Sequence, residues 1–115
     1  MHSSFCDILR AVAPTVIPED LYLECHVGWF PILYHTCVKL EALNQGKPEN
    51  EQVIALQIKE KFGGLRFYLV LSTPEAEAVI DEAEAACWKT CEICGEPGTQ
   101  CGKRWIQTLC NSHAR

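Results

Sequence analysis

The spacing of metal-binding side chains near the end of the chain limits the fold more than any other feature. Two residues separate Cys91 from Cys94, two separate Cys110 from His113, and fifteen lie between the pairs. Each pair can close a short turn around one ion, and the intervening length suits a β-hairpin that returns the chain to it. Three thiolates and one neutral imidazole make a tetrahedral set suited to zinc, a borderline-soft ion with no d-electron preference. Cys101 is a further sulfur inside the loop that could replace His113. The set Cys91, Cys94, Cys110 and His113 is expected ahead of it because it keeps the paired spacing. Four protein ligands would leave no position for a substrate water, so the ion is expected to be structural. The lobe has little apolar mass besides Trp105, Ile106 and Leu109, which links its folding to metal binding.

The other cysteines bear on the competing reading, a disulfide framework. Eight cysteines would suggest disulfides in a secreted chain. The opening Met1-His2-Ser3-Ser4-Phe5-Cys6-Asp7 lacks the basic segment and apolar stretch of a signal peptide, which predicts a cytoplasmic protein with reduced thiols. Cys6, Cys25 and Cys37 are scattered among apolar residues, where free thiols pack as small hydrophobes. The chain's 115 residues, 48% of them apolar, allow one core with a small appendage. No apolar run approaches the roughly 18–20 residues that span a bilayer.

Helical and strand periodicities fill in the rest. Phe5, Ile8, Leu9 and Val12 share a helical face between a capped start near Ser4 and a stop at Pro14. Residues 14–27 read as an irregular connection. A second helix is predicted from near Gly28, with Pro31 in its first turn, Trp29, Leu33, Cys37, Leu40 and Leu43 at helical spacing, and an end at Gly46. Ile54, Leu56 and Ile58 then alternate with polar or small residues, as do Leu65, Phe67, Leu69 and Leu71 with Arg66, Tyr68 and Val70. A Gly63-Gly64 turn would pair Phe62 with Leu65, Lys61 with Arg66, Ile58 with Leu69 and Leu56 with Leu71. Glu60 is the misfit on the apolar side. Ser72, Thr73, Pro74 and Glu75 open a third helix buried through Ala76, Val79, Ile80, Ala83 and Cys87. The expectation is an α+β fold: a β-hairpin packed against three helices over residues 1–89, with a zinc-binding lobe at 90–115.

The expected binding surface is the outer face of the hairpin. Lys59, Lys61, Arg66 and Tyr68 share it, and like charges facing each other across a ladder call for an anion. The neutralising charge could be internal, since residues 74–89 hold five acids against one lysine, or it could come from a partner. That acidic run could itself dock a basic partner, although an acidic helix face is ordinarily just solvated. Cys25 beside His26, and His35 near Cys37, do not make convincing catalytic pairs, because neighbouring side chains seldom aim at each other. No enzyme is expected.

The string Lys59-Glu60-Lys61-Phe62-Gly63-Gly64-Leu65-Arg66-Phe67-Tyr68, together with Cys91-Glu92-Ile93-Cys94-Gly95 and Leu109-Cys110-Asn111-Ser112-His113, resembles a family of small uncharacterised bacterial and phage proteins. The lobe alone is similar to treble-clef and zinc-ribbon modules. The resemblance implies a phage or prophage link and no established activity; a small regulator or inhibitor of a bacterial target such as a defence complex would fit it. Size, acidity and a closed zinc site suit such a protein-binding role. The alternative is nucleic-acid binding through Lys59, Lys61, Arg66, Tyr68, Lys103, Arg104 and Trp105, against which the net charge of −5 weighs.

Overall fold

The first helix is capped by a histidine rather than by its serines. In the computed structural model, which describes residues 1–114, His2 Nδ1 accepts the Ser4 N–H at 3.1 Å at the start of α1 (Ser3–Val12). Cys6 and Leu9 face the core, whereas Ile8, expected on the buried stripe, is exposed. Arg10 then orders the loop that follows: its guanidinium donates to the carbonyls of Pro18 at 3.2 Å and Glu19 at 2.9 Å. That loop delivers β1 (Leu23–Glu24), a strand inside the segment expected to be irregular. Two residues are too few for a period to register.

A single 3₁₀ turn at Val27–Trp29 leads into α2 (Phe30–Asn44). The helix therefore starts just past Gly28, with Pro31 in the first turn, where no N–H is required. Trp29, Leu33, Cys37 and Leu40 are fully buried along this segment. At its end Asn44 replaces a missing strand partner. Its amide accepts the Val53 N–H at 2.8 Å and donates to the Val53 carbonyl and to Thr15 Oγ1, each at 2.9 Å. The intervening loop is thereby closed and the next strand enters at a fixed place.

That strand, β2 (Ala55–Lys61), lies between β1, parallel to it, and β3 (Gly64–Leu69), antiparallel to it. The sheet is thus three-stranded, and its register differs from the expected one. Lys61 pairs with Gly64, Lys59 with Arg66 and Ile58 with Phe67. The turn residues are Phe62 and Gly63, at φ 55° and 83°, the positive pair that a two-residue hairpin needs. Relative to a Gly63-Gly64 turn the ladder has slipped by two residues, so every side chain keeps its face. Glu60 accounts for its own misfit: opposite Leu65, its carboxylate accepts the Gly63 N–H at 2.7 Å and holds the turn. Phe62 takes the left-handed conformation at a cost of roughly 1–2 kcal/mol while its ring stays 61% exposed. The ladder also breaks between Ala55 and Gln57. This bulge leaves Leu56 64% exposed, not buried opposite Leu71 as the alternation implied.

Thr73 caps α3 (Pro74–Cys87) by accepting the Ala76 N–H at 3.1 Å. Ala76, Ile80, Ala83 and Cys87 are buried, and the helix packs against α2 and β3. The chain ends in a small hairpin of β4 (Thr99–Cys101) and β5 (Gln107–Leu109). The architecture is α+β as expected, three helices against a small sheet, with the cysteine- and histidine-bearing lobe at the end.

The lobe is bonded to the body through backbone as well as side chains. Gly28 N donates to the Glu92 carbonyl at 2.7 Å, His26 N donates to Glu92 Oε2 at 3.1 Å, and Trp29 Nε1 donates to the Thr90 carbonyl at 2.9 Å. On the other side Thr108 Oγ1 donates to the Gly63 carbonyl at 2.6 Å. Gly28 is required by space: a Cβ there would lie 2.3 Å from the Cys91 carbonyl oxygen and 2.4 Å from that of Glu92. Gly28→Ala should therefore cost about 1–3 kcal/mol of stability through overpacking. Amide exchange should speed up in residues 90–110 more than in α2, and equal protection throughout would contradict this docking.

Candidate metal centre

The group begins with a tight turn. Gly95 N donates to the Cys91 carbonyl at 2.9 Å and Cys91 N donates to the Glu96 carbonyl at 2.7 Å, so residues 91–96 fold back on themselves and bring Cys94 beside Cys91. β4 and β5 carry the chain out and back. After Leu109 a second turn, with His113 N and Ala114 N both donating to the Cys110 carbonyl, swings the imidazole toward the thiols.

The result is four ligand atoms, from Cys91, Cys94, Cys110 and His113, all within 4.8 Å of one another. Cys94 Sγ lies 3.6 Å from Cys110 Sγ, and His113 Nδ1 lies 3.7 Å from Cys91 Sγ and 3.1 Å from Cys110 Sγ. A tetrahedral ion with metal–sulfur bonds of ~2.3 Å sets sulfurs about 3.8 Å apart, so the spacing fits one small ion. The cysteines are free thiols. Cys101, the alternative ligand, stands outside the group and turns its thiol to the Thr99 carbonyl at 3.3 Å. Cys91 and Cys110 are buried, and Cys94 and His113 face outward.

The surroundings favour the charged form of two of the thiols. Burial works against a thiolate at Cys91, but the backbone N–H groups of Cys94, Cys110 and Ile93 outweigh it and bring the thiol down to about 6. His113 lowers Cys110 by hydrogen bonding to its sulfur. Cys94 and His113 are shifted the other way, upward, chiefly by their sulfur neighbours, so the four groups share protons that an ion would displace on binding. Two buried cysteines of the main core behave in the opposite way to Cys91 and Cys110. Desolvation pushes Cys25 and Cys37 up to about 12, so both are neutral thiols at neutral pH.

Glu92, between the two ligands of the first pair, had no sequence signal as a structural residue. It is 2% exposed, and burial raises its carboxyl above the usual range. Its role is to tie the turn to the body through His26 N. An acid inside a two-residue spacer looks solvated on paper, and only the fold shows that it points inward.

The hairpin residues are distributed less uniformly than expected. Lys59 and Arg66 form the like-charge pair that Lys61 was expected to make with Arg66, Tyr68 stands opposite Gln57, and Lys61 sits at the turn with its ammonium 5.5 Å from the Phe62 ring. Arg66 is near enough to Glu84 of α3 to oppose the upward shift that burial and Asp81 impose on that carboxyl.

Against protein-family models, curated proteins and solved structures, the chain finds no match. The geometry of the site must carry the functional reading.

Cys94→Ser should abolish retention of one metal ion per chain on dialysis against a mild chelator and should melt the lobe, whereas Cys101→Ser should retain the ion. Elemental analysis and thermal denaturation of both variants check this. Retention by Cys94→Ser, or loss by Cys101→Ser, would reassign the ligands.

Proposed function

We propose that the protein is a non-enzymatic, zinc-stapled module that binds another protein through its sheet. The observation that carries this reading is the bulge in β2. It turns Leu56 outward beside Tyr22 and Val70, and together they line an open groove of about 640 Å³ rimmed by Asp20 and Glu24. A bulge re-aims a side chain, and here Leu56 is not a lone exposed residue, since Tyr22 and Val70 are exposed with it. Lys59, Lys61, Arg66 and Tyr68 extend the surface along the hairpin and supply the polar rim that protein interfaces need.

Zinc is the ion proposed for the Cys91, Cys94, Cys110 and His113 set, because three sulfurs and one nitrogen at tetrahedral spacing match its preferences. When bound, it supplies a cross-link and no open coordination position for chemistry. The buried, neutral Cys25 and Cys37 thiols likewise favour a binding role over a nucleophilic one. The resemblance of residues 59–68 and of the cysteine–histidine lobe to small bacterial and phage proteins supports a cytoplasmic regulator or inhibitor of a bacterial target, a defence complex being the example that suits its size.

The test is affinity purification from bacterial lysate with the metal-loaded chain beside Leu56→Asp and Lys61→Glu. A stoichiometric protein should be retained by the wild type, lost with Leu56→Asp and weakened by Lys61→Glu, with all three melting alike. Equal retention by the wild type and both variants would remove the sheet face from the interaction.

A further inference from the structure

Two hairpin tips meet at one edge of the molecule. The tip of β2–β3 brings Lys61 and Phe62, and the tip of β4–β5 brings Arg104, Trp105 and Ile106, around a notch of about 280 Å³. Phe62 is 61% and Trp105 70% exposed, so neither ring is used by the core. Phe62 is also held at φ 55°, where a bulky side chain is strained and where asparagine or glycine would serve the turn better. A ring kept in a strained conformation without burial has no folding role that accounts for it.

The notch is preformed. Gly63 lies against the lobe, with Thr108 Oγ1 donating to its carbonyl at 2.6 Å and Ile106 Cγ2 lying 3.2 Å from where a Cβ would be, so the tips are fixed relative to each other. Two cations line it, Lys61, whose ammonium lies 5.5 Å from the Phe62 ring centroid, and Arg104, and Lys103 is next to Arg104 in the chain. The carboxylate in the lining, Glu60, already accepts the Gly63 N–H. Five of the chain's fifteen acids belong to α3 and to neither tip.

From this juxtaposition we infer that the notch binds single-stranded nucleic acid, with bases stacked on Phe62 and Trp105 and phosphates held by Lys61, Lys103 and Arg104. Exposed rings interleaved with cations are the elements of sequence-tolerant strand binding. An acidic peptide would use the cations but not the rings, whose negative π-faces repel carboxylates. This site is separate from the groove at Leu56 and does not rest on the protein-partner reading.

The experiment measures fluorescence anisotropy of labelled oligothymidylate and oligouridylate of about 12 nucleotides with the full metal-loaded chain, at low and moderate salt. The wild type should bind, more weakly as salt rises. Phe62→Gly and Trp105→Ala should each weaken binding about tenfold or more, and Arg104→Ala should reduce the salt slope by about one. Phe62→Gly should melt at the same or a higher temperature, because glycine relieves the turn, which separates lost contact from lost folding. Leu56→Asp should bind like the wild type, which tells the notch from the Leu56 groove although Lys61 belongs to both surfaces. Absence of binding at about 50 mM salt, unchanged affinity in both ring variants, or preference for a glutamate-rich peptide would overturn the inference.

Discussion

The backbone of the first cysteine turn is pressed against the entry to α2, and the arrangement of both halves of the molecule follows from that contact. Gly28 and Glu92 exchange a hydrogen bond at 2.7 Å in a space too narrow for any side chain. The Trp29 indole, at the centre of the main core, donates outward to Thr90 on the same turn. A lobe with only Cys91, Leu109 and Cys110 as its buried centre could not stay folded by burial alone. It gains order from the ion-binding set on one side and from this seam on the other.

Polar side chains away from the seam let this small domain carry so much irregular chain. Residues 13–22 and 45–52 lack regular strands or long helices, yet Arg10 bonds the Pro18 and Glu19 carbonyls within the first, and Asn44 closes the second by bonding Val53 just beyond it. Each of these polar side chains replaces the ladder partners that a larger sheet would provide. The apolar core is free to remain continuous from α1 through α3 because its polar loops are bonded locally.

The helices and the ligand set were legible in the sequence because both rest on local spacing. Period, caps and prolines place α2 and α3 to within a few residues, and paired cysteines announce a metal group wherever the chain puts it. The register of the hairpin was legible only modulo two, since a slip of two residues preserves every facing that the pattern encodes. β1 and the bulge at Leu56 are consequences of pairing and leave no periodic trace. Glu92 and Gly28 belong to the same class: an acid in a spacer and a glycine ahead of a proline acquire meaning only when residues 64 positions apart touch.

The choice between the two hairpin registers has a consequence for how the chain reaches its native state. Gly63-Gly64 would provide an unstrained bend, and the observed bend places a phenylalanine in the left-handed region instead. The cost of that conformation is offset by the Glu60 carboxylate on the Gly63 N–H and by the Thr108 hydroxyl on the Gly63 carbonyl. A segment excised as a peptide would have the cheaper bend available. Glu60 from within the hairpin and Thr108 from the terminal lobe both fasten Gly63, so the last part of the chain shares in setting the alignment of the middle.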